Sequence, residues 1–375
     1  MTSEWNHFAL GEITELVIDY RGKTPKKLGG DWCKQGYRAL SAKNIKTGRI
    51  VQAETIRYID ESLYRKWMKD EVQRGDILIT SEAPFGQIFF WDSDEKIVLS
   101  QRLFCVRIKP EYDARFIYYY MTTPEFQSEL DGRATGTTVI GLRQPELMKC
   151  IIRCPEIQEQ KAIAAILSSI DAKIIANEKV NDNLQQQAQA IYSSMFIDNP
   201  DPAWSHGHLS DLITVKYGKD HKKLADGIYP VYGSGGIMRY VERPLYNKES
   251  VLIPRKGTLS NVMYVNQPFW SVDTMFYTEM KLPNVAKFVY HFVKAKDLAS
   301  MNAGSAVPSM TTDILNAMEV VIPSASALEE FESLVAPMYE AMEANDVQSK
   351  ALSQMRDTLL PKLMSGKIDV SSVQL

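Results

Sequence analysis

Two stretches of the chain combine lysine and arginine with glycine, residue types that suit contact with a phosphate backbone. Tyr20–Lys27 reads Tyr-Arg-Gly-Lys-Thr-Pro-Lys-Lys, and Lys216–Lys223 reads Lys-Tyr-Gly-Lys-Asp-His-Lys-Lys. Basic side chains neutralise phosphates, and glycine lets the backbone come close to a ligand. These two basic stretches predict nucleic-acid contacts by Arg21, Lys23, Thr24, Lys26, Lys27, Lys216, Lys219, Lys222 and Lys223.

Short polar side chains and further cations accompany each basic stretch, and arginine, asparagine and serine can read base edges. The candidates are Arg38, Ser41, Lys43 and Asn44 in the first half, and Ser234, Gly235, Arg239, Arg255 and Lys256 in the second. Two glycine loops add Arg133, Thr135 and Thr137, and then Asn302 and Ser305. A solvated loop is the alternative for any one stretch, but the recurrence of the whole set favours nucleic-acid binding.

The motifs of common enzymes and cofactor sites are missing from the sequence. Arg21–Thr24 ends like a phosphate-binding P-loop, but Val17 stands where such a loop needs glycine. The block Tyr232–Ile237 is rich in glycine but lacks the spacing of a dinucleotide fold. His206 and His208 have no further ligands nearby, and the cysteines form no CxxC pair. We therefore expect a non-catalytic chain with no metal and no cofactor.

The charge is unevenly distributed along the 375 residues, although the formal net charge is only −3. The segment from Arg21 to Arg49 carries nine basic residues against the single acid Asp31, whereas residues 325–346 carry six acids and no base. Such a distribution leaves a local anion-binding face despite the acidic total. The sequence shows no apolar run of membrane-spanning length and no signal peptide, which predicts a cytoplasmic protein.

One helical pattern occurs twice, with an offset of 168 residues. Apolar residues alternate in steps of four and three, which is the spacing of a coiled-coil seam. The seam positions are Ile163, Leu167, Ile170, Ile174, Asn177, Asn181, Leu184, Ala188, Ile191 and Met195, and then Phe331, Val335, Met338, Met342, Asn345, Ser349, Leu352, Arg356, Leu359 and Leu363. The change from Ala188 to Arg356 is the clear mismatch. A constant offset over so long a span indicates an internal repeat.

Polar residues interrupt the middle of both seams. A buried asparagine fixes the register of paired helices, because a mispaired amide faces hydrocarbon. If the two helices pair antiparallel, their middles meet, and Asn177, Asn181 and Asn345 lie close together. We expect these asparagines to set the helix register. The alternative is two amphipathic helices that pack separately, each on its own globular domain.

The remaining segments predict two globular parts of mixed helix and strand. Residues 76–79, 87–91 and 103–108 have the composition of strands, and residues 115–130 predict a helix interrupted at Pro124. The order is globule, helix, globule, helix, at residues 1–154, 155–197, 198–323 and 324–367, with a tail at 368–375. The predicted class is α+β, with a pseudo-twofold internal repeat and two long helices paired as an antiparallel coiled coil.

Several of these segments together resemble the specificity subunit of type I restriction–modification systems. The resemblance spans essentially the whole chain, and each motif alone is weak. It rests on Pro-Glu-Ile-Gln-Glu-Gln-Lys-Ala-Ile-Ala at 155–164, Leu167–Asp171, the helix end Leu359–Lys367, Tyr229–Ile237 and Arg21–Pro25.

The resemblance implies two target-recognition domains, each reading one half of a split double-stranded DNA site and held apart by the paired helices. It implies two methyltransferase subunits as partners, which carry S-adenosylmethionine and methylate adenine. It also implies motor-nuclease subunits that use ATP, in a system of phage defence. None of these cofactors is expected on this chain.

Three other functions compete with this interpretation. A fused methyltransferase is disfavoured by the missing catalytic motifs, and a plain coiled-coil scaffold is disfavoured by the two basic stretches. A DNA-binding subunit of another methyltransferase-based defence system remains an alternative.

Overall fold

The computed structural model describes residues 5–136, 140–301, 309–368 and 370. The chain forms two compact units. Unit 1 comprises Met1–Ile175 and Gln348–Leu375, and unit 2 comprises Ala176–Val347. Each unit therefore contains one globular part and half of each long helix. The predicted domain boundaries treat the helices as segments of their own, and they stay a prediction.

Unit 1 begins with short strands and helices in an α+β order. Its strands are β1 (Asn6–Ala9), β2 (Thr14–Asp19), β3 (Tyr37–Leu40), β4 (Ile45–Lys46), β5 (Arg49–Ile50), β6 (Arg57–Ile59), β7 (Ile77–Thr80), β8 (Ile88–Phe90), β9 (Val98–Leu99), β10 (Leu103–Ile108) and β11 (Ile151–Cys154). Its helices are α1 (Leu10–Ile13), α2 (Glu61–Trp67), α3 (Ala114–Met121), α4 (Pro124–Arg133), α5 (Gln144–Met148) and the first half of α6 (Ile157–Ser193). The predicted helix interruption is confirmed: the Thr123 side chain caps α4, and Pro124 occupies its first turn.

The main sheet of unit 1 is buried on both faces. Its strand order is β2-β10-β7-β8, and all the pairs are antiparallel. Along β10, Phe104 and Val106 belong to the core that includes Phe116 of α3, whereas Cys105 belongs to a second core around Trp67. This alternation follows from the two-residue period of a strand. A smaller sheet of order β6-β3-β9 covers the second face, and its β3–β9 pair is parallel.

Unit 2 contains a four-stranded and a three-stranded sheet whose strands are arranged as in unit 1. Its strands are β12 (Ser205–His208), β13 (Ile213–Tyr217), β14 (Asp226–Gly233), β15 (Gly236–Val241), β16 (Ser250–Pro254), β17 (Met263–Val265), β18 (Trp270–Ser271), β19 (Met275–Met280) and β20 (Glu319–Ile322). Its helices are α7 (Leu209–Leu212), α8 (Ala286–Lys294), α9 (Thr312–Asn316) and the first half of α10 (Ala325–Met364), with the second half of α6. The main sheet is β13-β19-β16-β17, and the smaller sheet is β15-β14-β18 with a parallel β14–β18 pair.

The two units share an equivalent backbone hydrogen bond, as an internal repeat requires. The Leu10 N–H donates to the Cys150 carbonyl at 2.8 Å in unit 1, and the Leu209 N–H donates to the Met318 carbonyl at 2.8 Å in unit 2. Cys150 and Met318 differ by the same 168 residues that separate the two seams. The predicted α+β class and its internal repeat are therefore confirmed.

The two long helices pack on each other within each unit. In unit 1, Ile163 and Leu167 of α6 share a core with Leu363 and Met364 of α10. In unit 2, α6 runs against α10 in the opposite direction, since the Asn177 amide donates to the Asn345 carbonyl at 3.4 Å and the Asn181 amide donates to the Met342 carbonyl at 3.2 Å. Every seam position of both helices is buried or half-buried. The predicted antiparallel helix pair is confirmed, and each half of it also packs on the globular core of its unit.

The seam asparagines bond to one another in unit 2. The Asn345 amide donates to Asn181 Oδ1 at 2.8 Å, and Asn177 is buried. Moving one helix along the other would separate these amides and break their hydrogen bonds across the seam. This geometry is what a register-setting layer requires, and the role of the asparagines in register stays a prediction.

The mismatched seam residue has an ionic partner in unit 1. The Arg356 guanidinium donates to Asp171 Oδ1 at 2.8 Å, and the Tyr119 hydroxyl donates to Asp171 Oδ2 at 2.6 Å. In unit 2 the equivalent seam position is Ala188. Burial and the Asp171 carboxylate raise the pKa of Tyr119 well above its usual value, so this hydroxyl remains a donor.

A buried ion pair lies inside unit 1. Asp76 is 1% exposed and accepts hydrogen bonds at 2.9 Å from two nitrogens of Arg107, which lies on β10. The Gln73 N–H donates to the same carboxylate at 2.8 Å. In unit 2 the strand register places Ser250 at the position of Asp76, and its hydroxyl donates to the Thr278 carbonyl at 2.8 Å.

A buried histidine joins three helices in unit 2. His291 of α8 is 0% exposed, its Nδ1 lies 2.8 Å from Gln189 Oε1 of α6, and its Nε2 lies 2.9 Å from the Tyr339 hydroxyl of α10. The Tyr192 ring stacks on the imidazole. Burial and then the nearby Lys294 ammonium lower the pKa of His291 to about 4.

We expect unit 2 to lose stability as the pH falls from about 6.5 to about 4. In that window the unfolded histidine binds a proton and the folded one does not, so stability is complete above the unfolded pKa and is lost below it. The loss attributable to His291 is at most about 3 kcal/mol. Unfolding of the native chain and of His291→Gln, measured between pH 7 and pH 4.5, provides the test. The advantage of the native chain should shrink as the pH falls, and parallel curves for the two proteins would contradict it.

Candidate nucleic-acid interface

The predicted segments of unit 1 meet at one end of the main sheet. The Ser81 N–H, just after β7, donates to the Arg102 carbonyl at 2.9 Å, and the Leu142 N–H donates to the Ser81 carbonyl at 3.0 Å. Arg21, just after β2, reaches the Leu142 carbonyl with Nη1 at 3.3 Å. The basic stretch, the glycine loop and two strand ends therefore converge. We call this region, defined by Arg21, Ser81, Arg102 and Leu142, interface 1.

The arginine and the first lysine of the basic stretch hold the loop in place. Arg21 forms two hydrogen bonds of 2.8 Å to the Asp19 carboxylate and lies over the Phe104 ring. Lys23 donates to the Trp67 carbonyl, and its ammonium lies 3.6 Å from the centre of the Tyr20 ring. Burial and then Lys69 lower the pKa of Lys23. These side chains shape the loop, and their predicted DNA contacts stay predictions.

The next two lysines are exposed. Lys26–Leu28 forms a short 3-10 turn, and the Lys27 ammonium donates to the Gly22 carbonyl at 2.8 Å. Thr24 accepts from the Lys27 N–H at 3.3 Å. Within the described part of the chain, neither Lys26 nor Lys27 forms an ion pair. Both can therefore approach a phosphate without first breaking a bond to an acid.

The second predicted group separates into accessible and buried members. Asn44 is 1% exposed, accepts from the Ser41 hydroxyl at 2.9 Å and donates to the Thr55 hydroxyl at 3.0 Å. Its amide therefore holds the turn, and the expectation that Asn44 reads bases stays a prediction. Arg38 forms a two-nitrogen contact with the Glu95 carboxylate. Lys43 is exposed beside Asn44.

Lys43 and Ser41 line a cleft of about 270 Å³ in unit 1. Arg57, Gln101 and Arg102 are among the further polar residues that line the same cleft, together with Trp32. The sequence interpretation missed these residues because none lies in a glycine-rich basic stretch.

The glycine loop of unit 1 is only partly described. Arg133 pairs with Glu129 at 2.8 Å at the end of α4. Thr135 exchanges two backbone hydrogen bonds of 2.9 Å with Gly141, which closes the loop. Thr137 lies outside the described residues, as do Asn302 and Ser305 of the second loop.

Unit 2 repeats the arrangement at the corresponding end of its main sheet. The Arg255 N–H donates to the Thr274 carbonyl at 2.9 Å, and the Met310 N–H donates to the Arg255 carbonyl at 2.9 Å. The Arg255 guanidinium lies 5.4 Å from the centre of the Tyr217 ring. We call this region, defined by Tyr217, Arg255, Thr274 and Met310, interface 2. The exposed Lys256 forms a bridge in the backbone with Ser309.

Ser234 joins interface 2 through its neighbours. The Asn261 amide donates to the Ser234 carbonyl at 2.8 Å, and a Cβ on Gly257 would lie 2.8 Å from the Ser234 hydroxyl. Gly235 has open space beside it. Arg239 instead pairs with Asp226 at 2.8 Å across the β14–β15 hairpin.

The basic stretch of unit 2 is anchored more tightly at its start than at its end. A Cβ on Gly218 would lie 2.0 Å from the Val272 carbonyl oxygen, so only glycine fits there. The Lys219 carbonyl accepts from the Trp270 indole at 2.8 Å, and Lys216 lies 3.7 Å from Glu279. The side chains of Lys219, Lys222 and Lys223 are exposed and form no ion pair with any described residue.

Both interfaces thus present exposed lysines beside strand ends. No helix of the described chain is long and apolar enough to cross a membrane. Nor do the described residues bring three histidine, cysteine, aspartate or glutamate side chains together as a metal site.

The model of the type I restriction modification DNA specificity domain matches residues 2–186 and 203–331. The chain belongs to this family. Each match includes one of the two interfaces.

Individual relatives agree with this membership. The chain is 24% identical over 344 residues to the type I restriction enzyme MjaIX specificity subunit of Methanocaldococcus jannaschii, covering 80% of this chain and 79% of that protein. It is 21% identical over 418 residues to the HindI specificity subunit of Haemophilus influenzae, covering 80% and 88%. The crystal structure of a type I restriction–modification S subunit from M. genitalium superposes with a TM-score of 0.62 at 19% identity, covering 96% of both chains. That similarity shows the shared fold.

Proposed function

We propose that the chain is the DNA-specificity subunit of a type I restriction–modification complex and reads a bipartite double-stranded DNA site. The observation that carries the proposal is the repetition of one interface in two units of equal strand order, within a family of DNA specificity domains. Two similar readers with different side chains suit a site made of two different half-sequences. The chain itself is non-catalytic.

The partners we propose are two methyltransferase subunits, which methylate adenine, and motor-nuclease subunits, which cleave with ATP. The relatives from M. jannaschii and H. influenzae are both named as specificity subunits of type I restriction enzymes. S-adenosylmethionine and ATP belong to those partners in this proposal. A cytoplasmic location follows from action on cellular and invading DNA.

The test is methylation mapping in a host that lacks other adenine methylation. The chain is produced with its methyltransferase partner, and modified adenines are located by single-molecule sequencing. We expect two short sequences separated by unspecified bases, with one modified adenine in each. The partner alone, without the chain, should leave this site unmodified.

Paired variants separate the two readers. Ser41→Ala with Lys43→Ala should alter only one half of the site, and Ser234→Ala with Lys256→Ala should alter only the other half. A single continuous sequence would contradict the bipartite reading. A site that neither pair of substitutions affects would favour a scaffold role in which another chain reads DNA.

A further inference from the structure

The cleft of unit 1 has basic walls and an open mouth. It is lined by Lys43, Arg57, Gln101 and Arg102, with Trp32 as an aromatic wall. The Arg57 guanidinium lies 5.2 Å from the centre of the Trp32 ring. These groups are mostly hydrogen-bond donors, so the cleft suits a ligand that presents acceptors.

Arg102 occupies an unfavourable backbone position at the edge of this cleft. Its φ of 66° lies in the left-handed region, which glycine and asparagine adopt more easily than arginine. Its carbonyl accepts from the Ser81 N–H at 2.9 Å, so the neighbouring strand ends fix this conformation. Strained backbone held by its surroundings is concentrated at functional sites.

The side chain of Arg102 makes a single ionic contact within the described part of the chain. Its Nε lies 3.1 Å from Glu82 Oε1, and the side chain is 47% exposed. Arg21 and Arg38 each give Nε and a terminal nitrogen to one carboxylate. The terminal nitrogens of Arg102 have no hydrogen-bond partner among the described residues. Glu82 therefore orients the guanidinium and leaves its outer two-nitrogen edge free.

We propose that Arg102 reads a guanine in the half-site bound by unit 1, donating from its two terminal nitrogens to O6 and N7 in the major groove. Guanine presents two adjacent acceptors there, whereas adenine presents one acceptor and one donor. Glu82 acts as the positioning residue. The proposal rests on the proposed function and adds the base that this side chain recognises.

The equivalent position in unit 2 carries a different residue. The Arg255 N–H donates to the Thr274 carbonyl as the Ser81 N–H donates to the Arg102 carbonyl. Thr274 cannot make a two-nitrogen contact to guanine. This position therefore predicts a guanine contact in only one of the two half-sites.

The experiment compares the methylation site of the native complex with that of Arg102→Ala. We expect one guanine position in one half-site to become relaxed, with discrimination reduced by about 5- to 150-fold, while the other half-site is unchanged. Glu82→Gln should reduce discrimination at the same position by a smaller factor. Arg65→Ala is the matched control, because Arg65 is exposed on α2 and pairs with Glu61 outside the cleft.

Two outcomes would overturn the proposal. A uniform loss of affinity with an unchanged site, and a salt slope lower by about one, would mean that Arg102 contacts a phosphate. An unchanged site and affinity would mean that it contacts no DNA. Arg102→Gly, which suits the left-handed backbone, replaces the alanine variant if that variant does not fold. If the native complex shows no specific site, the proposed function fails, which is distinct from failure of the Arg102 assignment.

Discussion

Removal of the exposed lysines from the two basic stretches is expected to lower the salt dependence of DNA binding by about 3.6 in the slope of log affinity against log salt. The substitutions are Lys26→Ala, Lys27→Ala, Lys222→Ala and Lys223→Ala. Each phosphate contact contributes about 0.9 to that slope through counterion release. Between 50 and 200 mM salt, the variant should therefore lose on the order of 100-fold less affinity than the native chain. Titration of a labelled duplex at several salt concentrations measures the slope.

A charge-matched variant controls for the change in net charge. Lys109 and Lys281 directly follow β10 and β19, at the ends of those strands opposite Arg102 and Thr274. Lys149 precedes β11, and Lys248 precedes β16 at the same far end of its sheet. Alanine at these four positions should leave the slope nearly unchanged. If the two variants behave alike, the basic stretches do not contact phosphate.

The long helices were predictable because burial of their seam requires the spacing that is visible in the sequence. Every seam position is buried or half-buried, including the polar ones. The mismatch at Arg356 was visible, but its partner was not. Asp171 lies 185 residues away, and only the antiparallel packing in unit 1 brings the two together.

The sequence predicted which regions form the candidate interfaces, but it did not predict which individual side chains are accessible there. The sequence gives the residue type, but it does not show whether a cation faces solvent or holds its own loop. Lys26 and Lys222 are exposed, whereas Arg21 binds Asp19 and Arg239 binds Asp226. The sequence likewise does not show that Asn44 is buried, with its amide closing a turn.

The sequence pattern did not indicate Arg102 as a candidate for base recognition. It follows Gln101 in an ordinary turn between β9 and β10, with no glycine to mark the left-handed backbone. Its significance comes from the Glu82 contact and the cleft, both of which depend on folding. His291 was missed similarly, since its partners Gln189 and Tyr339 come from two distant helices.

Loss of the half-buried Arg107 guanidinium, the partner of the buried Asp76 carboxylate, is expected to lower the stability of unit 1 strongly. Arg107→Ala leaves the Asp76 carboxylate buried with the Gln73 N–H as its remaining strong donor. Breaking a buried ion pair in this way costs about 3–5 kcal/mol, because an uncompensated charge stays in the core. Urea unfolding, followed by a probe in unit 1 such as the fluorescence of the buried Trp67 and Trp91, should show a free energy of unfolding lower by about that amount.

Two further variants determine whether the uncompensated charge is the cause. Asp76→Asn added to Arg107→Ala should recover part of the lost stability, since a neutral amide is less costly to bury than a carboxylate. Arg74→Ala removes an arginine that is 52% exposed and pairs with Asp92 and Asp94, so it should move the midpoint little. If the double variant is no more stable than Arg107→Ala, the loss comes from packing of the long arginine side chain.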